Sequence, residues 1–201
     1  MGDPRIRDQS YEPASADPQP VTQANFVLPG AILVAIGTAF ATFRIARLHA
    51  FPVDWIWVKV VYLLLWVAFA LAFALVAMRC AKAQQALSIF AWLTCAGASV
   101  RAGYWGFLLV DDAQSGAYYA YGHYLPLLTA VALIAFGISA HEPFRWWWSV
   151  PAMIAGALDA RSSVLGLYRL SPYMSLLWLI PLVVLGIAMC RTRVAAERAA
   201  N

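Results

Sequence analysis

Apolar and polar residues along this chain come in blocks. Six apolar stretches, about Phe26–Phe43, Trp55–Met78, Leu87–Val110, Tyr118–Ala140, Trp147–Tyr168 and Pro172–Met189, are divided by short polar breaks. These breaks are Phe51-Pro52-Val53-Asp54, Arg79-Cys80-Ala81-Lys82, the segment from Asp111 to Gly116, His141-Glu142-Pro143 and Leu170-Ser171-Pro172. At roughly 1.5 Å of rise per residue, each stretch reaches or nearly reaches across a hydrocarbon core of about 30 Å. The period-two alternation of a membrane β-barrel is absent. The pattern therefore predicts an all-α fold, a polytopic helical membrane protein of about six transmembrane helices. The short breaks predict antiparallel neighbours and an up-down bundle in sequence order. The fifth run is interrupted by Asp159, Arg161 and Ser162-Ser163, so an interfacial or re-entrant fifth segment, leaving five spans, is the alternative reading.

Composition agrees with the pattern. Of 201 residues 63% are hydrophobic and 12% charged, about half the charge fraction of an ordinary soluble domain, and the surplus apolar surface has to face lipid. Residues 1–25 carry Pro4, Pro13, Pro18 and Pro20 with Arg5 and Arg7 against four acids, which predicts a disordered polar tail. It is too long and too acidic for the start of a secretory signal. Residues 26–190 form the expected six-helix domain and residues 191–201 a short basic C-terminal tail.

Short-loop Lys and Arg set the orientation. With the N-terminus inside, the inner segments hold Arg5, Arg7, Arg79, Lys82, Arg145, Arg191, Arg193 and Arg198, against Arg44, Arg47 and Arg169 outside. This predicts an inner-membrane protein with both termini cytoplasmic. Membrane lipids are the first expected partner. The net charge of +4 is spread over span ends rather than gathered in a patch, so nucleic acid is not an expected partner. Trp55, Trp57, Tyr62, Trp105 and the tyrosines from Tyr118 to Tyr124 are expected at the outer headgroups, and Trp146, Trp147 and Trp148 at the inner ones. Pro181 is expected to kink the sixth helix near its middle.

The informative chemistry is ionic. Arg101 lies within the third run, and Asp159 and Arg161 within the fifth. Ionisable groups at membrane depth are expensive and face a protein interior or a wet cavity. If the third and fifth spans cross in the same direction, Arg101 and Asp159 differ by only about 3 Å in depth, which predicts an ion pair and requires those helices to be neighbours. Small-residue stripes, Ala98-Ala102-Gly106 and Ala152-Gly156-Ala160, are expected at that contact. Two roles compete for Arg101, Asp159 and Arg161: a structural ion pair, or a net-positive ligand site with Lys59 and Arg169 peripheral to it. Snorkelling to the interface is the simpler reading of Lys59 and Arg169.

Other chemistry finds little support. His49, His123 and His141 are not placed as matched axial ligands. Cys80, Cys95 and Cys190 have no C-x-x-C spacing and are expected as free thiols. No phosphate loop, zinc-protease helix or nucleophile elbow occurs, so neither a cofactor nor a metal is expected. The resulting expectation is a multi-pass inner-membrane protein without its own catalytic site, an accessory or scaffold subunit of a membrane assembly that associates with membrane-protein partners or with itself. The alternative is a small transporter or channel for an anionic solute or lipid headgroup, and a lipid-modifying enzyme is a distant third.

Overall fold

A computed structural model describes residues 25–50, 56–80, 84–110, 125–144, 146–164 and 177–200. Among these residues every element is helical: α1 (Val27–Ala50), α2 (Ile56–Cys80), α3 (Gln85–Val110), α4 (Leu125–Ser139), the single turn α5 (His141–Phe144), α6 (Trp146–Val164) and α7 (Leu179–Ala200). Three helical segments are long and apolar enough to cross a membrane: Val27–Ile45, Ile56–Cys80 and Gln85–Val110. Shorter apolar segments are Leu127–Ser139 and Leu179–Thr192.

Local chemistry explains the helix ends. Asn25 Oδ1 accepts a 3.0 Å bond from the Val27 amide, an N-cap placed just before Pro29, whose missing N–H is harmless in a first turn. Between α2 and α3 the Gln84 amide bonds to the Cys80 carbonyl at 2.9 Å, and Ser88 Oγ donates to the Ala77 carbonyl at 2.9 Å. Helix α4 runs nearly unbroken into α5, because the Ala140 and Phe144 amides bond back to Phe136 and Ala140. Pro181 falls in the first turn of α7, where no carbonyl ladder is yet established, so the expected mid-helix kink has no cause. The segment expected as a basic tail continues α7 helically as far as Ala200. Residues 1–24 lie outside the described residues.

The six long helices close into a ring in chain order. Helix α1 packs on α2, α2 on α3, α3 on α4, α4 on α6, α6 on α7, and α7 back on α1. Neighbours run antiparallel: Phe43 meets Trp57 at one end of the bundle, and the Cys190 thiol meets the Val27 carbonyl at the other. We call the end holding Phe26, Ser88 and Trp148 proximal and the end holding Trp57, Trp105 and Trp178 distal.

Three seams are made by glycine. A Cβ on Gly30 would lie 2.5 Å from the Gly186 carbonyl oxygen, and one on Gly186 2.7 Å from the Gly30 carbonyl oxygen, so α1 and α7 touch backbone to backbone. Gly97 of α3 seats the main chain of Thr129, and Gly156 of α6 seats the Ala130 carbonyl, both on α4. Hydroxyl groups are folded onto their own helices: Thr94, Ser99, Ser139 and Thr192 each donate to the carbonyl four residues back, the usual way to satisfy a hydroxyl where water is absent. Outside, large apolar side chains stand exposed on each of the long helices, among them Leu28, Leu71, Leu93, Val131, Ile154 and Ile180. Inside are Phe69, Phe73, Leu133, Phe136, Leu182 and Leu185.

Three of the aromatic residues expected near the interfaces have partners within the bundle. Trp148 is buried, donates from Nε1 to Thr192 Oγ1 at 3.1 Å and stacks on Phe144, whereas Trp146 and Trp147 are exposed and stacked on each other. Tyr62 is buried and Trp105 stacks on it with ring centroids 4.4 Å apart.

Candidate functional site

The polar centre of the bundle is the Arg101–Asp159 pair. Arg101 is carried by α3, about nine residues or roughly 14 Å before its distal end, and Asp159 by α6. Arg101 Nη2 donates to Asp159 Oδ2 at 2.7 Å, with the two side chains only 7% and 3% exposed. The guanidinium carbon sits 4.4 Å above the centroid of the Trp66 ring, a cation–π contact whose strength grows when water is excluded. Asp159 makes further contacts, while Arg101 Nε is buried without a hydrogen-bond partner.

Sequence depth alone required α3 and α6 to be adjacent. Instead α3 packs on α2 and α4, and α6 on α4 and α7, with α4 between them. The pair forms across α4 for a definite reason. Gly97 is one turn before Arg101, Gly156 one turn before Asp159, and both press on the consecutive residues Thr129 and Ala130 of α4. Two glycines thus draw α3 and α6 against a single narrow helix, and the long arginine side chain covers the remaining gap. The stripe Ala152-Gly156-Ala160 serves α4, not α3. In α3 Ala98 and Ala102 are buried but Gly106 faces Leu63 of α2.

The other expected members of the cluster separate from it. Arg161, two residues past Asp159, is exposed on α6, as the helical rotation between such positions dictates. Lys59 is buried and donates from Nζ to the Leu108 carbonyl at 3.2 Å. It thereby occupies one of the four carbonyls that a helix C-terminus leaves unpaired. Its place is in the first turn of α2, against the last turn of α3. Arg169 lies outside the described residues, as do His123, Asp111 and Asp112.

The sequence reading missed the aromatic surround. Trp66 contacts Phe40 and stacks with Trp178 at 6.1 Å, and Phe40 reaches Tyr62 and Trp178. Arg44 Nε donates to Tyr62 Oη at 3.2 Å. The available signal was Trp66 itself, a tryptophan in the middle of an apolar run, far from either interface, where only an internal partner gives it a purpose. What the arrangement can do is hold a desolvated charge pair at a fixed place against a π face. Compared with models of known families, with curated proteins and with solved structures, the chain matches none of them.

Proposed function

We propose that this chain is a six-span protein of an inner membrane, with both ends of the bundle's chain on the cytoplasmic side, and that it serves as an accessory or scaffold subunit of a membrane assembly rather than as a catalyst. Membrane insertion is supported by the apolar side chains exposed on each of the long helices, since soluble monomers rarely expose contiguous apolar patches of more than a few hundred Å². Closure of α4, α6 and α7 into the same antiparallel ring as the three longest apolar helices favours six crossings over three. The Lys/Arg count supports the orientation.

The observation that carries the scaffold reading is the sealing of the ion pair. Arg101 and Asp159 bond one another in the interior, with Trp66 under the guanidinium and further contacts at Asp159, which favours the outer surface as the working part of the molecule. That surface is uneven. Between the exposed Leu28 and Ile45, helix α1 exposes only Ala31, Ala35, Thr38, Ala39 and Thr42, whereas α2 exposes Leu64, Val67 and Leu71 and α7 exposes Ile180, Val184 and Ile187. Small side chains let another helix approach closely in lipid. Affinity purification of the full chain in mild detergent tests the reading: a set of partner subunits at fixed stoichiometry is expected, and migration as a lone chain overturns it.

The transport reading rests on one observation, the buried and unpartnered Arg101 Nε, which has spare capacity for a solute oxygen. Among the described residues Arg161 is exposed and Lys59 donates to α3, and this weakens the case for an anion.

A further inference from the structure

Thr94, Ser99, Ser139 and Thr192 turn their hydroxyls back onto their own helices. Thr129 of α4 turns away. It is 2% exposed, its Oγ1 has no hydrogen-bond partner, and that oxygen is aimed across the seam at α3, 2.9 Å from the place a Cβ on Gly97 would take. A threonine hydroxyl inside a helix ordinarily donates to the carbonyl three or four residues back. Forgoing that bond in a buried place calls for a partner on the other side of the seam.

Arg101 supplies the second half. Its Nε is also buried and unpartnered, although Nη2 of the same guanidinium is bonded to Asp159. Arg101 stands one turn after Gly97, and a helical side chain leans back over the turn before its own Cα. The arginine therefore passes over Gly97, where no side chain stands and where the Thr129 hydroxyl points. A donor and a hydroxyl converge on one place in the α3–α4 seam without bonding each other directly, since each would then be satisfied.

From this convergence we propose that the seam holds a single internal water molecule, whose oxygen accepts from Arg101 Nε and which donates to Thr129 Oγ1. Buried waters belong where otherwise unsatisfied polar groups meet, and leaving both groups bare carries the full desolvation penalty of each. Other occupants fit less well. The charge of Arg101 is already answered by Asp159, so an anion would add an unmatched charge in the interior. A larger neutral molecule needs more room than the missing side chain of one glycine leaves. With the water in place the guanidinium is held by Asp159 at one end, by the Trp66 ring on its face and by the water at Nε. Thr129 is thus a positioning residue for the ion pair, acting through the water. The site goes beyond the scaffold reading and does not rest on it, and it gives a resident partner to the one donor on which the transport reading draws.

Thermal unfolding of the full chain in one mild detergent is the first test. A merely stranded hydroxyl would make Thr129→Val stabilising, because the change removes an unmet polar group. With the water bound, the same change takes one of its two partners and strands Arg101 Nε, so the midpoint is expected to fall by roughly 3–6 °C. The water itself is read by magic-angle-spinning NMR on the chain in lipid nanodiscs with isotope-labelled arginine. The Arg101 Nε–H resonance is identified by its upfield shift over the Trp66 ring and its loss in Arg101→Lys. Magnetisation transfer from water to this resonance is expected in the parent and in Thr129→Ser, and at least about fivefold weaker in Thr129→Val. A soluble gadolinium chelate is expected to leave it unchanged. The proposal is overturned by a Thr129→Val midpoint above the parent's, by no transfer in the parent, by transfer that Thr129→Val leaves intact, by transfer from a hydroxyl in place of water, which means a direct Arg101–Thr129 bond, or by quenching with the chelate, which means an open aqueous cavity.

Discussion

Replacing Arg101 by alanine removes three things at once: the 2.7 Å bond to Asp159, the guanidinium over Trp66, and the charge that makes a 3%-exposed carboxylate tolerable. Losing one partner of a buried pair destabilises by about 3–5 kcal/mol because the survivor stays desolvated; Asp159 keeps its further contacts, which puts Arg101→Ala toward the lower end of that range. In a domain of this size each kcal/mol moves the unfolding midpoint by about 2–4 °C, so Arg101→Ala is expected to lower it by roughly 6–20 °C. Asp159→Ala should fall in the same range. The double variant Arg101→Met/Asp159→Leu separates charge from volume: with both ions gone and the space filled, stability is expected within about 1–2 kcal/mol of the parent, or above it. The assay is thermal unfolding of the full chain in one mild detergent, followed by helical circular dichroism. A loss under about 3 °C for Arg101→Ala, or a double variant less stable than both single ones, would refute the claim that a sealed, mutually dependent pair holds the centre of the bundle.

Other substitutions address other parts of the ring. Gly30→Ala forces a methyl group against the Gly186 carbonyl oxygen, 2.5 Å away, and is expected to destabilise by about 1–3 kcal/mol. Gly103→Ala, with nothing within 4 Å, should be neutral or stabilising by up to about 1 kcal/mol; the two are compared by thermal unfolding, and equal effects would contradict the glycine seam. Trp148→Phe keeps the stack on Phe144 and removes only the 3.1 Å bond to Thr192, for an expected loss of about 1 kcal/mol by the same measurement. Lys59→Met frees the Leu108 carbonyl, so hydrogen exchange should quicken over the last turn of α3 while the turn around Gly97 stays protected.

The sequence made the helices legible because their apolar runs are longer than any soluble helix face requires, and Arg101 with Asp159 stood out for the same reason: a charge inside such a run has to be answered. Adjacency was not legible. Depth along a helix is a one-dimensional quantity, and it placed Arg101 level with Asp159 without revealing that α4 lies between them. Gly156 was noticed as part of a stripe, yet a stripe looks the same whichever helix fills it, and only coordinates assign it to Ala130. Arg161 was joined to the cluster by its charge and depth, while its separation of two residues from Asp159 sends one outward and the other inward. Lys59 was read as an interfacial cation because nothing local tells that the Leu108 carbonyl, 49 residues away, lies within its reach. Trp148 differs from Trp146 and Trp147 only through Thr192, on a helix more than 40 residues later.

The backbone meeting of Gly30 with Gly186 has a consequence for how the molecule is made. Helix α1 leaves the ribosome before its counterpart exists, so during synthesis its glycine face has no α7 beside it. The ring cannot shut until α7 arrives, and a nascent chain halted before Leu179 carries an open groove where that helix belongs. Quality control that samples unfinished chains would find its cue there, on α1, for a defect in α7.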